Sequence, residues 1–184
     1  ETRIMSETSP GEFVEAEIGE LWVAGPSVFS EYFERPEATR DAFVLRDGFR
    51  FFRTGDTVEK NAQGSFRILG RTSVDILKSG GYQLSALEIE EVFRLHPAIS
   101  EVAVIGLPDP VWGDRVTACV VLKASAPAPT AEELRAFAKE HLAAYKVPKE
   151  IQFLAELPRN AMGKVVKPEL KQKLQARITE PASD

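Results

Sequence analysis

The sequence predicts an α+β chain in two parts, and three observations carry that reading. Strand-length runs rich in aromatic and β-branched residues crowd the first third of the chain. Two Ser/Thr-x-x-Glu signatures, Ser85-Ala-Leu-Glu88 and Thr130-Ala-Glu-Glu133, open helical patterns further on. Beyond residue 75 strands and helices are interspersed, the order expected of a small mixed domain. The predicted division is a β-rich, barrel-like segment over 1–70, a joint at 71–75 and a compact domain over 76–184.

The elements follow in order. Gly19–Ala24, Phe49–Arg53 and Ser65–Leu69 have strand length and composition, and Asn61-Ala-Gln-Gly64 is a turn between the last two. Ile76–Leu84 reads as two short strands around the turn Gly80-Gly81. A helix then runs from the Ser85 signature to about Leu95, with Ile89, Val92 and Phe93 as its buried stripe. Glu101–Gly106 and Arg115–Leu122 are further strands, and Ala124-Ser-Ala-Pro-Ala-Pro129 is a stiff connector. In the helix after Thr130, Leu134, Phe137, Ala138 and His141 recur at helical spacing, which places His141 beside the core rather than in catalysis. Glu150–Leu154 is a strand. Pro168, suited to a first helical turn, begins a last helix to about Ala176.

Composition excludes several functions. Lys+Arg number 23 against 28 Asp+Glu, a net charge of −5, so no basic field invites nucleic acid. The single cysteine, Cys119, lies in the apolar run Thr117–Leu122 and reads as a buried strand residue; it permits no internal disulfide. No stretch approaches the ~20 apolar residues of a membrane span. The first ten residues lack the charged and apolar regions of a signal peptide, and the absence of an initial Met suggests a processed or partial chain, expected inside the cell in the cytoplasm or an organelle such as the mitochondrion.

The motifs Gly19-Glu-Leu-Trp-Val-Ala-Gly-Pro-Ser27, Thr54-Gly-Asp56, Gly70-Arg71 with Asp75-Ile-Leu-Lys78 and Gly80-Gly-Tyr82, Tyr145-Lys-Val-Pro148 and Pro158-Arg-Asn-Ala-Met-Gly-Lys164 occur in this order. Each alone is a weak signal, but the ordered set is specific. From about Gly19 to Leu174 the chain resembles the carboxy-terminal portion of an AMP-forming acyl-CoA synthetase, of the adenylate-forming superfamily. That resemblance implies two partial reactions at one site: a carboxylic acid is joined to the α-phosphate of ATP, and the thiol of CoA then displaces AMP. It also implies that residues 76–184 are a lid that rotates between the two steps on a large amino-terminal domain, of which residues 1–70 are the end.

The resemblance assigns roles residue by residue. Asp56 is expected to hold the ribose hydroxyls of the nucleotide, and Arg71 to face its ribose and phosphates; alone, Thr54-Gly-Asp56 reads as a turn between strands and Arg71 as a surface ion pair. Gly80, Gly81 and Tyr82 are expected to line the passage for the pantetheine arm of CoA, where only glycine lets backbone approach a ligand closely. Lys164 is expected to be the catalytic cation of adenylation. Trp112 and Tyr82 read first as core or rim residues, with contact to CoA as the alternative. Lys78, Lys146 and Arg159 read as solvated charge, with CoA phosphates as the alternative. Tyr145-Lys-Val-Pro148 is read as a packing joint.

At the joint the sequence departs from the family. The usual Gly-Arg-x-Asp-Asp-x-Ile-Lys carries two adjacent acids, whereas Gly70-Arg-Thr-Ser-Val-Asp-Ile-Leu-Lys78 is one residue longer and carries one. Ser73, Val74 and Asp75 are therefore the candidate hinge, with Ser73 or Val74 as pivot. The same stretch, with Val104-Ile-Gly-Leu-Pro-Asp109, is most similar to the malonyl-CoA synthetase branch, which implies malonate or methylmalonate as the acid. The alternatives are a short- or medium-chain fatty acyl-CoA synthetase, or a non-catalytic nucleotide-binding or interaction module with the lid fold. A peptide-synthetase module is disfavoured, because the stretch after Lys164 is too short for a carrier domain. The family's phosphate loop, acyl pocket and Mg2+ ligand belong to its large domain. No metal ligand is expected here, and this stretch alone is not expected to adenylate.

Overall fold

The computed structural model describes residues 1–179, and the chain divides into two compact units, Glu1–Ser73 and a second beginning at Val74. The first unit is a fully antiparallel sheet of six strands, β1 (Thr2–Ser9), β2 (Glu12–Glu15), β3 (Ile18–Val23), β4 (Phe43–Arg46), β5 (Phe49–Lys60) and β6 (Phe66–Arg71). Their order is β2-β1-β3-β5-β4, with β6 paired to the second half of β5. One short helix, α1 (Pro36–Ala42), starts at a proline whose missing N–H costs nothing in a first turn. Met5, Trp22 and Phe51 form the buried centre, with Phe13 against the Trp22 ring at 5.0 Å.

The second unit layers helices on both faces of a mixed five-stranded sheet. Its strands are β7 (Ile76–Ser79), β8 (Tyr82–Ser85), β9 (Ile99–Asp109), β10 (Gly113–Leu122) and β11 (Glu150–Phe153), ordered β11-β10-β7-β8 with β9 on β10. Only β10 and β11 run parallel. The helices are α2 (Ala86–Arg94), α3 (Ala131–His141) and α4 (Lys167–Thr179). A strand's side chains alternate between faces, so a strand covered on both sides is apolar in succession along its covered stretch. β9 is such a strand over 102–107: Val102 and Val104 pack in the larger cluster with Ile89 and Phe93 of α2 and Leu134 and Ala138 of α3, while Ala103, Ile105 and Leu107 pack with Leu170 and Leu174 of α4.

Both helix-start signatures cap helices. Ser85 Oγ accepts the Glu88 N–H at 3.2 Å, and Thr130 with Glu133 forms the full reciprocal box, N–H to Glu133 Oε2 at 2.8 Å. Glu88 turns its carboxylate to Lys146 instead. Cys119 is fully buried on the α4 face, and that burial, with the charges of Glu150 and Glu90 behind it, pushes its thiol up to about 12. His141 departs from expectation: it is exposed at the end of α3, its Nδ1 2.9 Å from the Phe137 carbonyl oxygen and its ring 4.6 Å from the Phe137 ring. The core stripe of that helix ends at Ala138, because the chain turns extended at Leu142. Phe93 sits at the centre of the larger cluster with no exposure. Phe93→Ala is expected to lower stability by about 3–5 kcal/mol, read as a shifted urea midpoint at unchanged slope; a loss below about 1 kcal/mol would mean the surrounding side chains collapse into the space.

Candidate active site

In the first unit the site begins with a kink in a strand. Thr54-Gly55-Asp56 lies inside β5 and not in a turn between strands, correcting the local sequence reading. Glu20 faces Thr57 and Trp22 faces Arg53, so Leu21 alone opposes the whole tripeptide, and the surplus residues bulge. Gly55 adopts φ +73°, a region L side chains avoid, and a Cβ there would lie 3.0 Å from Arg71 Nη1. Thr54 Oγ1 donates to the Leu21 carbonyl at 2.7 Å and accepts the Asp56 N–H at 3.1 Å. The buried Glu20 carboxylate accepts from Trp22 Nε1 at 3.0 Å, Arg53 Nη2 at 2.9 Å and the Gly55 N–H at 3.0 Å. Sequence reasoning missed Glu20, although an acid between apolar strand residues was a usable signal.

This clamp sets Asp56 directly opposite Arg71 across β5 and β6. Arg71 Nε lies 3.4 Å from Asp56 Oδ1, and its Nη1 donates to the Thr54 carbonyl at 2.5 Å. The two side chains remain 37% and 59% exposed. A carboxylate that can accept from two hydroxyls thus stands beside a guanidinium that can donate to oxygens.

In the second unit, Gly80 and Gly81 form the β7–β8 turn with φ of +58° and +83°. They are not equivalent. A Cβ on Gly80 would lie 3.1 Å from the Trp112 ring, whereas none of the structure lies within 4 Å of a Cβ on Gly81. Trp112 is placed by Asp109, whose Oδ1 accepts the Val111 and Trp112 N–H groups at 2.9 and 3.0 Å, bonds that hold the Asp109 carboxyl below its ordinary range. Next to the turn, exposed Tyr82 stacks on Tyr145 at 4.5 Å. Lys146 Nζ is held by both Glu88 oxygens at 2.7 and 2.8 Å, and Lys149 Nζ sits 4.3 Å from the Trp112 ring centre. Within Tyr145-Lys-Val-Pro148, Val147 and Pro148 are buried, while the tyrosine is exposed.

Lys164 stands on a separate hairpin. The Asn160 N–H donates to the Lys164 carbonyl at 2.9 Å, and the Val166 N–H to that of Pro158 at 2.8 Å. Asn160 Oδ1 accepts the N–H groups of Met162 and Lys164, both at 3.0 Å, which locks the tip, and Gly163 closes it at φ +79°. Arg159 is not free charge: it donates to the Gly163 carbonyl at 2.5 Å and pairs with Glu101. Lys164 itself is exposed, and among the described residues its ammonium meets no carboxylate. Ser73 is exposed and Val74 half-buried in the turn between β6 and β7, while Asp75 is buried and paired with Lys167.

Residues 88–164 match the model of the AMP-binding enzyme C-terminal domain. The chain thus carries an AMP-binding enzyme C-terminal domain. Among its relatives, a mitochondrial malonate–CoA ligase of Bos taurus is 51% identical over 169 residues, covering 92% of this chain and 28% of that protein. A long-chain-fatty-acid–CoA ligase of Bacillus subtilis is 47% identical over 151 residues, 82% of this chain and 26% of that protein. The ATP-bound crystal structure of MatB from Rhodopseudomonas palustris superposes with a TM-score of 0.78 at 35% identity, covering 95% of this chain and 34% of that one. The chain thus spans less than a third of the length of these curated relatives. Among its described residues no group of three or more His, Cys, Asp and Glu is arranged to hold a metal, and no helix is long and apolar enough to cross a membrane.

Proposed function

We propose that this chain is the carboxy-terminal part of an acyl-CoA synthetase that activates malonate or methylmalonate. The observation that carries the reading is Lys164, whose ammonium meets no carboxylate among the described residues and stands on a hairpin that Asn160 locks. In the first step a carboxylate oxygen attacks the α-phosphorus of ATP and the bond to pyrophosphate breaks. Negative charge gathers on the phosphoryl oxygens, and an ammonium already in place stabilises it without reorganising. Asp56 accepts from the two ribose hydroxyls and Arg71 donates on the ribose and phosphate side. In the second step the CoA sulfur attacks the acyl carbon, the bond to AMP breaks and the thiol proton is lost. Gly81, bare on its outer side, gives the pantetheine arm its passage, with Gly80 and Tyr82 beside it. Residues 1–70 serve as the end of the large domain, 71–75 as the hinge with Ser73 or Val74 as pivot, and 76–184 as the lid. Mg2+ and the acyl pocket belong to the amino-terminal domain, the lid's partner in the same enzyme. The mitochondrial name of the bovine relative supports an organelle as the location.

The malonate assignment is supported by the names of the bovine ligase and of MatB, both matched across more than nine tenths of this chain. The Bacillus name favours a second reading, a fatty acyl-CoA synthetase. Acid-dependent pyrophosphate release by the full-length enzyme separates them: kcat/KM is expected to be highest for malonate or methylmalonate. Preference for a monocarboxylic fatty acid establishes the second reading, and release with no acid makes the chain a non-catalytic module.

A further inference from the structure

Three residues after Lys164, a second lysine has the opposite character. Lys167 opens α4, and its side chain is only 11% exposed. Its Nζ lies 2.5 Å from Asp75 Oδ1 and 2.7 Å from Glu90 Oε1, on side chains 13% and 4% exposed. Glu90 Oε1 also accepts the Val104 N–H of β9 at 2.8 Å, and Oε2 accepts Arg94 Nη2 at 2.9 Å. The Asp75 carbonyl accepts the Ala86 N–H of α2 at 2.7 Å. One ammonium thus joins the first buried residue of the second unit, the core helix α2 and the base of the Lys164 hairpin. A second clasp runs alongside: Asp114 Oδ2 accepts the Lys78 N–H of β7 at 2.9 Å, and its Oδ1 lies 3.9 Å from Lys171 Nζ, one turn further along α4.

Burying charge is costly unless every charge is paired, and an apolar trio of similar size would serve stability equally well. What an ionic cluster supplies that an apolar one does not is fixed geometry, because each oxygen has a set position. We infer that Lys167 is a positioning residue for the adenylation step: it makes Asp75 and the Lys164 hairpin parts of one rigid body. Movement at Ser73 or Val74 is then delivered to Lys164 without slack. This rests on the reading above, in which Lys164 acts at adenylation. The sequence offers no local hint of it, since Asp75 and Lys167 are 92 residues apart.

The test is a mutant cycle in the full-length enzyme. Lys167→Met removes the ammonium that two buried carboxylates share and is the severe variant. Asp75→Asn is the decisive one, because it leaves Lys167 paired with Glu90 and removes only the charge at the joint. Asp75→Asn is expected to lower kcat for pyrophosphate release about tenfold or more, as small misplacements of reacting groups do. KM for ATP and for the acid should stay within about twofold, since a positioning fault acts on the transition state and not on ground-state binding. On a Lys164→Ala background the same substitution should cost nothing further, because its effect passes through Lys164. Full additivity of the two losses, a loss carried in KM alone, or no loss from Asp75→Asn would each overturn the inference. If Lys167→Met does not fold, the Asp75→Asn cycle still decides. If Lys164→Ala alone leaves adenylation intact, the proposed function has failed and this inference falls with it, an outcome distinct from additivity.

Discussion

Replacing Lys164 by alanine in the full-length enzyme is expected to reduce adenylation ~10²- to 10³-fold, the usual cost of removing one preorganised electrostatic contact from a transition state. The hairpin itself should survive. Its turn is held by Asn160 Oδ1 and by backbone bonds, none of which involves the Lys164 side chain. Lys164 is exposed, and exposed substitutions of that kind stay within about 0.5 kcal/mol of stability. A rate loss with an unchanged unfolding midpoint therefore reports on chemistry. The two half-reactions discriminate further. A chemically supplied acyl-adenylate should still pass to CoA at near-normal rate, because the role proposed for the cation is confined to the step in which the α-phosphoryl group accumulates charge. Collapse of both steps would make Lys164 structural or shared, and no change in either would make it ordinary solvated charge.

The fold was legible in the sequence wherever a local pattern had one physical solution. The capping signatures at Ser85 and Thr130 marked α2 and α3, and the apolar run within 115–122 marked β10, because caps and short apolar runs are written in residues a few positions apart. Elements whose identity depends on distant partners escaped. β1 and β2, whose outer positions are polar, are strands because β3 offers β1 an edge, and α1 is a single short stretch whose residues are all exposed or half-buried. Thr54-Gly-Asp56 looked like a turn because glycine and aspartate favour turns. Its conformation is instead imposed by Glu20, 35 residues from Gly55. His141 followed a helical period that stopped one turn earlier than the pattern suggested.

Of the candidate site, the residues that were visible are those whose chemistry is written in a motif: Asp56, Arg71, Gly80, Gly81 and Lys164. Their supports were not. Glu20 behind the bulge, Asp109 beneath Trp112 and Asn160 within the Lys164 tip act through bonds to backbone N–H groups, and any acid or amide in the sequence could do so. Lys167 and Lys164 look alike in the sequence, and burial alone separates them.

Gly81→Leu in the full-length enzyme is expected to divide the two half-reactions in the other sense. The structure separates the two glycines of the turn by what surrounds them. A side chain on Gly80 is driven into the Trp112 ring, 3.1 Å from its first carbon, and displaces the β9–β10 turn that Asp109 builds. A Cβ on Gly81 meets no atom of the described structure within 4 Å, which leaves a larger side chain room on the surface where the pantetheine arm is proposed to run. Pyrophosphate release should therefore stay within about threefold, while thioester formation falls by roughly 10²-fold or more, the penalty for holding a reacting group about an ångström out of place. Backbone strain has to be separated from obstruction, because φ of +83° disfavours any L side chain by about 1–2 kcal/mol. Gly81→Ala provides that separation: it imposes the same strain with a methyl group too short to reach a neighbouring chain. If the alanine variant keeps thioester formation near normal and the leucine variant loses it, the passage is obstructed. If alanine and leucine lose it equally, Gly81 acts only through its backbone angle; if pyrophosphate release falls in step with thioester formation, the turn supports both reactions and is no passage for CoA.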